Sequence, residues 1–337
     1  MTQSLPAGIA LTLVAGLMSG NCLLPMKFHR NWKWENAWFV FSIVSLVILP
    51  WALGLTLVSR LFHIYASLPS ASLLIPLLFG AGWGIAQILF GISVDRLGLS
   101  LAYAVIVGLG ALLGTLVPLL VQHRTQVSHP QLLYIFSGVG VMVAGISLCA
   151  RGGQLREDHL PSDREPHRLR GYRAALLIAI LCGLMAPMLN YALAFGQNIA
   201  QQAVLQGNPP LRAAYAVWPI ALAGGFLPNL AYSIFLIQRN KTWHQFRAVS
   251  PDVIVSSSMG VLWMGAFALY GMSVAYLGAL GTSIGWGLFQ IFMIVTATLS
   301  GVITGEWKHS SRGARQMLVA GLCCLAAATS LLALGNR

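Results

Sequence analysis

Two pairs of side chains in this sequence have a type and a spacing that suit the binding of a small polar molecule. Trp83 and Gln87 are four residues apart, and so are Trp286 and Gln290, so each pair projects from one face if its segment is helical. An amide both donates and accepts hydrogen bonds, and an indole offers a broad apolar face. The sequence contains no metal-ligand cluster, no Ser-His-Asp set and no cofactor motif. The pattern therefore indicates recognition of a solute and not enzymatic catalysis.

The composition places these residues in a membrane. Of the 337 residues, 57% are hydrophobic and 8% are charged, against about 25% charged in an ordinary soluble domain. The apolar runs are roughly 18–25 residues long, enough to cross the hydrocarbon core of a bilayer as helices. We predict an all-α integral membrane protein with ten transmembrane helices, near residues 5–25, 37–58, 71–94, 98–121, 132–150, 173–196, 214–237, 252–276, 280–304 and 314–334.

The basic residues indicate how the chain is oriented. The net charge is +12, but the Lys and Arg residues lie in or beside the connections between spans, so we predict no nucleic-acid partner. Sixteen of the twenty fall in the odd-numbered connections, and four fall in the even-numbered connections and the termini. Since Lys and Arg concentrate on the cytoplasmic side, we predict a bacterial inner or plasma membrane protein with both termini periplasmic or extracellular.

Two stretches of the chain repeat each other at an offset of 180 residues. Residues 80–98 and 260–278 share nine identities in nineteen positions, including Trp83 with Trp263, and Phe90 corresponds to Tyr270. Because five spans per half is an odd number, the second copy enters the membrane from the opposite side. Such inverted repeats are typical of alternating-access carriers. We predict a first five-helix repeat at 1–150, a cytoplasmic linker at 151–172 and a second five-helix repeat at 173–337.

Polar and aromatic side chains inside the spans are the candidate substrate contacts. An unsatisfied amide in hydrocarbon is costly, so these groups face the interior or each other. Each could equally serve only as a hydrogen bond between packed helices. The polar and aromatic residues inside the spans also include Trp218 and Asn229. From this set, spacing and repeat symmetry select nine predicted substrate-binding residues: Asn21, Trp83, Gln87, Asn190, Tyr191, Trp263, Tyr270, Trp286 and Gln290.

The charged side chains lie in connections or at span ends, where the ordinary interpretation is a solvated or anchoring charge. Lys27 and Glu35 stand out because they flank the tryptophan cluster Trp32, Trp34 and Trp38 at the predicted cytoplasmic mouth. We predict that Lys27 or Glu35 contributes to coupling or gating. In the alternative interpretation the three indoles are interfacial anchors and the two charges have no such role.

Eight short motifs follow one another through nearly the whole chain. They are PMK at 25–27, WKWENAW at 32–38, ILPW at 48–51, FGAGWGI at 79–85, RLGLS at 96–100, RGGQL at 151–155, SIGW at 283–286 and EW at 306–307. In these motifs the chain resembles the bacterial L-rhamnose-proton symporters, ten-helix members of the drug/metabolite transporter superfamily. The resemblance implies uptake of L-rhamnose or a similar monosaccharide with protons. In one departure, a member of that family carries an acidic residue just before SIGW, where this chain has Thr282.

The sequence leaves other interpretations open. The same scaffold serves exporters of amino acids, drugs or nucleotide sugars, and a membrane receptor would bind a ligand without translocating it. Because all eight acidic residues lie in connections or at span ends, facilitated diffusion without a coupling ion also remains. The oligomeric state is not fixed by the sequence.

Overall fold

The computed structural model describes residues 4–123, 125, 127–157, 172–246, 251–308 and 310–336. Within these ranges all regular secondary structure is helical. Nine segments of the described chain are long and apolar enough to cross a membrane. The prediction of an all-helical, multi-pass integral membrane protein is confirmed.

The long helices follow the predicted apolar runs. They are α1 (Leu5–Phe28), α2 (Trp34–Leu57), α3 (Ser70–Leu97), α4 (Leu99–Gln122), α5 (His129–Glu157), α6 (Tyr172–Leu205), α7 (Pro210–Asn240), α8 (Pro251–Leu277), α9 (Gly281–Ile303) and α10 (Arg312–Gly335). The short turn Gly278–Leu280 separates α8 from α9, and these two helices form one apolar segment of 53 residues. The predicted linker at 151–172 begins inside α5, and its residues 158–171 lie outside the described residues.

Helices α1, α2, α6 and α7 are each interrupted near a proline. In α6 the helix breaks before Met188, where Pro187 supplies no backbone N–H and so cannot continue the hydrogen-bond ladder. In α2 a π-helical turn at Val44–Ile48 precedes Pro50. The break in α6 places Asn190 in a separate helical piece, Met188–Phe195, in the interior of the protein.

Close backbone contact joins α3 to α7. A Cβ added at Gly80 would overlap the carbonyl oxygen of Ala221, and one at Gly224 would overlap that of Leu77. Small residues permit this approach between membrane helices. Gly260 of α8, which aligns with Gly80 in the sequence repeat, lies in a similar way against Val44 of α2.

The helices of the two halves interleave. Helix α3 packs against α6 and α7, while α8 packs against α1 and α2. Helix α4 packs against α6 and α9 against α1, and the pairs α4–α9 and α5–α10 complete the bundle. The largest buried side chains include Leu46 of the first half and Trp218 and Tyr270 of the second, and all three belong to one hydrophobic cluster, so both halves contribute to a single interior.

Candidate functional site

A cavity of about 470 Å³ lies between helices of both halves. Its lining runs from Trp83, Trp263 and Trp286 in the interior to Arg156 and Glu306 at the end formed by the odd-numbered connections. We call it the inner cavity. Its volume is in the range of small-molecule sites, roughly 300–1,000 Å³. Apart from Arg156 and Glu306, the described side chains of the lining carry no formal charge, so the interior of this space suits a neutral solute.

Gln87 and Gln290 supply the amides of the inner cavity. Gln290 is buried and Gln87 is half-buried, yet neither side chain is hydrogen-bonded to any residue that the structure describes. Each lies one helical turn from an indole of the lining, as predicted from the spacing. Because a buried amide without a partner is destabilising, these two groups are available to hydrogen-bond a bound molecule.

Aromatic rings form the rest of the wall. The indoles of Trp83 and Trp263 stack with centroids 5.2 Å apart, and the ring of Phe267 lies 4.4 Å from that of Trp263. Trp38, whose indole Nε1 donates to Asn229 Oδ1 at 3.0 Å, also lines the inner cavity. Sequence reasoning did not include Trp38 among the substrate contacts. The repeat offset, which pairs Trp38 with Trp218, could have identified it.

Asn190 and Tyr270 are bonded to each other beyond the inner cavity. The Tyr270 hydroxyl donates to Asn190 Oδ1 at 2.6 Å, and Asn190 Nδ2 donates to the carbonyl oxygens of Gly114 at 3.0 Å and Thr282 at 2.8 Å. Both side chains are fully buried. The resulting network joins α4, α6, α8 and α9 at the end of the cavity opposite Glu306.

Asn21 and Tyr191 do not line the inner cavity. The Asn21 amide donates to the carbonyl oxygen of Leu17 in its own helix at 2.8 Å. The Tyr191 ring packs edge-on against Phe79 and Phe195. The structure therefore brings five of the nine predicted substrate-binding residues to the inner cavity and places two others, Asn190 and Tyr270, in the adjoining network.

A cluster of charged side chains lies at the mouth of the inner cavity. The Glu306 carboxylate accepts a hydrogen bond from Lys27 Nζ at 2.5 Å and one from Arg156 Nη1 at 3.3 Å. The Arg156 guanidinium lies 5.0 Å above the ring of Trp307. The hydrogen bond from Lys27 is the main reason that the pKa of Glu306 is held below its ordinary value. Lys27 was predicted from the sequence, whereas Glu306 and Arg156 were not, because their proximity depends on how separate connections meet.

Glu35 lies apart from this mouth. Its Oε1 accepts hydrogen bonds from Asn240 Nδ2 at 2.9 Å and Thr242 Oγ1 at 3.3 Å, and the residue is only 5% exposed. Glu35 therefore attaches the start of α2 to the end of α7. The structure places Lys27, but not Glu35, beside the inner cavity.

The tryptophan cluster of the first connection is divided between different environments. Trp32 is buried, and its indole Nε1 donates to the carbonyl oxygen of Gln245 at 3.1 Å. The carboxylate of Asp252 accepts hydrogen bonds from the backbone N–H groups of residues 30–32. Trp34 alone of the three indoles is exposed, at 41%. Interfacial anchoring thus suits Trp34, while Trp32 is part of the packing between connections.

These observations define the class of protein: a multi-pass membrane protein whose helices enclose a cavity of the size and polarity of a small, neutral solute. The model of the L-rhamnose-proton symport protein family (RhaT) matches residues 1–337. The chain belongs to this family, whose members are transporters and not enzymes.

Individual relatives match over nearly their whole length. The L-rhamnose-proton symporter of Klebsiella pneumoniae (strain 342) is 28% identical over 348 residues, which cover 99% of each chain. That of Cronobacter sakazakii (strain ATCC BAA-894) is also 28% identical with the same coverage, and that of Escherichia coli (strain 55989 / EAEC) is 27% identical over 344 residues and 99% of each chain. The resemblance drawn from the sequence motifs is confirmed.

Proposed function

We propose that the protein is a secondary active transporter that imports a sugar, L-rhamnose, together with protons. The observation that carries this proposal is the inner cavity, where the free amides of Gln87 and Gln290 lie beside stacked indoles. A sugar presents hydroxyl groups to amides and C–H faces to aromatic rings. The names of the relatives, L-rhamnose-proton symporters, support both the substrate and the coupling ion.

The walls of the inner cavity favour a deoxysugar among sugars. Phe41, Phe267 and Phe289 line it together with the indoles, so much of the surface offers no hydrogen-bonding group. L-Rhamnose has a methyl group where a hexose has a hydroxymethyl group. Burying that methyl against these rings is favourable, whereas burying a hydroxyl there without a partner is costly.

The proposed mechanism is alternating access. It requires ten membrane crossings arranged as two inverted repeats, 1–150 and 173–337, which a cytoplasmic linker joins. The helix contacts support this arrangement, because α3–α6 corresponds to α8–α1, and α3–α7 corresponds to α8–α2. The pairs α4–α9 and α5–α10 each join equivalent helices of the two halves. The segment Pro251–Ile303, with 53 residues, is long enough for two of the ten crossings.

The charge distribution supports a direction of access. With the odd-numbered connections in the cytoplasm of a bacterial inner membrane, both termini are periplasmic and the mouth beside Glu306 faces inward. The Lys27 and Glu306 side chains at this mouth are 51% and 39% exposed, which fits an inward-open state. Lys27 gates the mouth through its bond to Glu306, and Glu35 holds α2 to α7 as the helices move.

Uptake of labelled L-rhamnose into proteoliposomes, with and without an imposed inward proton gradient, tests this function. Accumulation that depends on the gradient is the expected result. Equilibration without accumulation would contradict proton coupling, and the absence of both uptake and counterflow would contradict the sugar. A Glu35→Gln variant whose uptake and pH dependence match the wild type would exclude Glu35 from coupling and gating.

A further inference from the structure

A second cavity, of about 800 Å³, lies at the opposite end of the helices that form the inner cavity. Its lining includes Gln122 of α4, Gln197 of α6, Val274 of α8 and Thr282 of α9. We call it the outer pocket. The described residues of its lining include no Asp, Glu, Lys or Arg, and His123 is the one titratable side chain among them, so it suits a neutral molecule, as the inner cavity does.

The outer pocket and the inner cavity follow one another along the same four helices. On α8, Phe267 lines the inner cavity and Gly271 lines the outer pocket; on α9, Thr282 lines the outer pocket and Trp286 the inner cavity. Four residues of helix rise by about 6 Å, so little more than one turn separates the two linings on α8 and on α9. The two spaces follow the same order on α4 and α6. Val107 and Ala186 line the inner cavity, and Gln122 and Leu193 line the outer pocket.

The network of Asn190 and Tyr270 fills the interval between the two spaces. Neither residue lines the inner cavity or the outer pocket, and both are fully buried. Asn190 Nδ2 donates to the carbonyl oxygen of Thr282, a residue of the outer pocket. The Tyr270 ring lies 5.9 Å from the ring of Trp286, a residue of the inner cavity. These two side chains therefore form a layer between the two spaces.

The outer pocket also carries hydrogen-bonding groups suited to hydroxyls. Gln201 is exposed and makes no hydrogen bond within the described part of the chain. Gln122 and Gln197 also line the pocket, and their Nε2 groups donate to the backbone carbonyls of Ala194 and Leu193. An amide both donates to and accepts from a neutral hydroxyl group, as it does with water. The chemistry of this pocket thus matches the solute class assigned to the inner cavity.

We propose that the outer pocket is a vestibule that first binds a neutral polyhydroxylated solute, and that the Tyr270–Asn190 hydrogen bond is the outer gate. This inference rests on the proposed sugar transport. A solute hydroxyl both donates and accepts, so it can replace either partner when the bond breaks. Opening then leaves no buried polar group unsatisfied, whereas opening without a solute or water does.

The vestibule is tested by labelling with a membrane-impermeant maleimide added on the side opposite Glu306. The background carries Ser in place of the five cysteines, since Cys22, Cys149 and Cys182 line the inner cavity. We expect labelling of Gln201→Cys to be slowed by L-rhamnose. Ser70→Cys, exposed at the same end but outside the pocket, is the control and should label at a rate that the sugar does not change. Equal rates with and without sugar at both positions would overturn the vestibule.

The gate is tested from the same side with a reporter in the inner cavity, Ala297→Cys. Tyr270→Phe removes the hydroxyl and keeps the ring, and we expect it to speed labelling of the reporter by roughly 3- to 10-fold, as the loss of one hydrogen bond would. Asn190→Leu removes the acceptor of the same hydrogen bond and should also speed labelling of the reporter. Tyr191→Phe is the matched control, because the Tyr191 hydroxyl bonds to no residue that the structure describes.

Counterflow of labelled L-rhamnose in the same preparations separates two kinds of failure. If both gate variants retain counterflow and the reporter labels at the wild-type rate, the gate is wrong while the sugar transporter stands. If the wild type shows no counterflow, the proposed function is wrong. The rates of labelling of Ala297→Cys still decide the position of the gate in that case.

Discussion

The indole rings of Trp83 and Trp263 stack at a centroid distance of 5.2 Å, with 29° between their planes. The two residues align with each other in the sequence repeat, one on α3 and one on α8. In an inverted-repeat carrier, two equivalent residues in contact lie on the axis that relates the halves. A pair on this axis keeps its central position when the halves exchange conformations, so we expect the stack to contact the sugar in both access states.

Replacing either stacked indole should weaken sugar binding. We expect Trp83→Ala and Trp263→Ala each to raise the KM for L-rhamnose counterflow about tenfold, since an aromatic contact contributes roughly 0.5–1.5 kcal/mol beyond its burial. Phenylalanine at either position should give a KM between those of the alanine variant and the wild type. Trp243→Ala, at an exposed aromatic contact with Phe39 outside the inner cavity, is the control. An unchanged KM in both alanine variants would remove the stack from the binding site.

The two free amides should each contribute a hydrogen bond to the sugar. Gln87→Leu and Gln290→Leu are therefore expected to raise the KM by roughly 2- to 12-fold each, from about 0.5–1.5 kcal/mol per bond. Neither change should lower the stability of the protein in detergent, because neither amide is bonded to a described residue. Gln131→Leu, at the start of α5 and outside the cavity, provides the comparison. Wild-type affinity in both variants would contradict the proposed contacts.

The ion cluster at the mouth predicts a pH-dependent contribution to stability. The bond from Lys27 lowers the pKa of Glu306 in the folded protein, so the contribution is present above the unfolded value, about 4.3, and is lost as the pH falls through the folded pKa. We expect the wild type to melt at a higher temperature than Glu306→Gln at pH 7 in detergent. The difference should shrink below the unfolded pKa and vanish once the pH is lower than the folded pKa of Glu306.

Asp95→Asn is the control for this measurement. Asp95 is exposed and forms no ion pair with the residues that the structure describes. The melting temperature of the Asp95→Asn variant should match that of the wild type at both ends of the pH range. A melting difference for Glu306→Gln that persists unchanged at low pH would show that the carboxylate charge is not its cause.

The close contact between α3 and α7 predicts that one added methyl group lowers the stability of the protein. Gly80→Ala would place its Cβ against the carbonyl oxygen of Ala221, and overpacking of this kind costs about 1–3 kcal/mol. Gly91→Ala, on the same helix with open space around the added atom, should leave the melting temperature unchanged. Equal melting temperatures for the two variants in detergent would indicate that the helices separate easily at Gly80.

The sequence predicted the faces of helices better than the contacts between them. Trp83 with Gln87 and Trp286 with Gln290 line the inner cavity, because a spacing of four residues determines a shared face whatever the tertiary structure. Asn190 and Tyr270 were predicted to bind substrate as well. Periodicity does not fix the depth at which two helices meet, so their bond to each other could not be foreseen.

Helix ends and connections were less predictable than the spans. Helix α5 continues to Glu157, beyond the predicted end at 150, because a helix that leaves the hydrocarbon continues with polar residues that a hydropathy pattern does not count. The partners of Glu306 come from α1 and α5. No local pattern predicts an ion pair between residues so far apart in the chain.

The thin layer of Asn190 and Tyr270 between the inner cavity and the outer pocket also determines where a membrane voltage acts. Because solvent-accessible space approaches this layer from both ends, most of the transmembrane potential falls across it. Moving one elementary charge through 100 mV changes the free energy by about 2.3 kcal/mol, but neither of these side chains carries a charge. We therefore expect the layer to open with almost no gating charge, so that the voltage dependence of transport comes from the coupled proton.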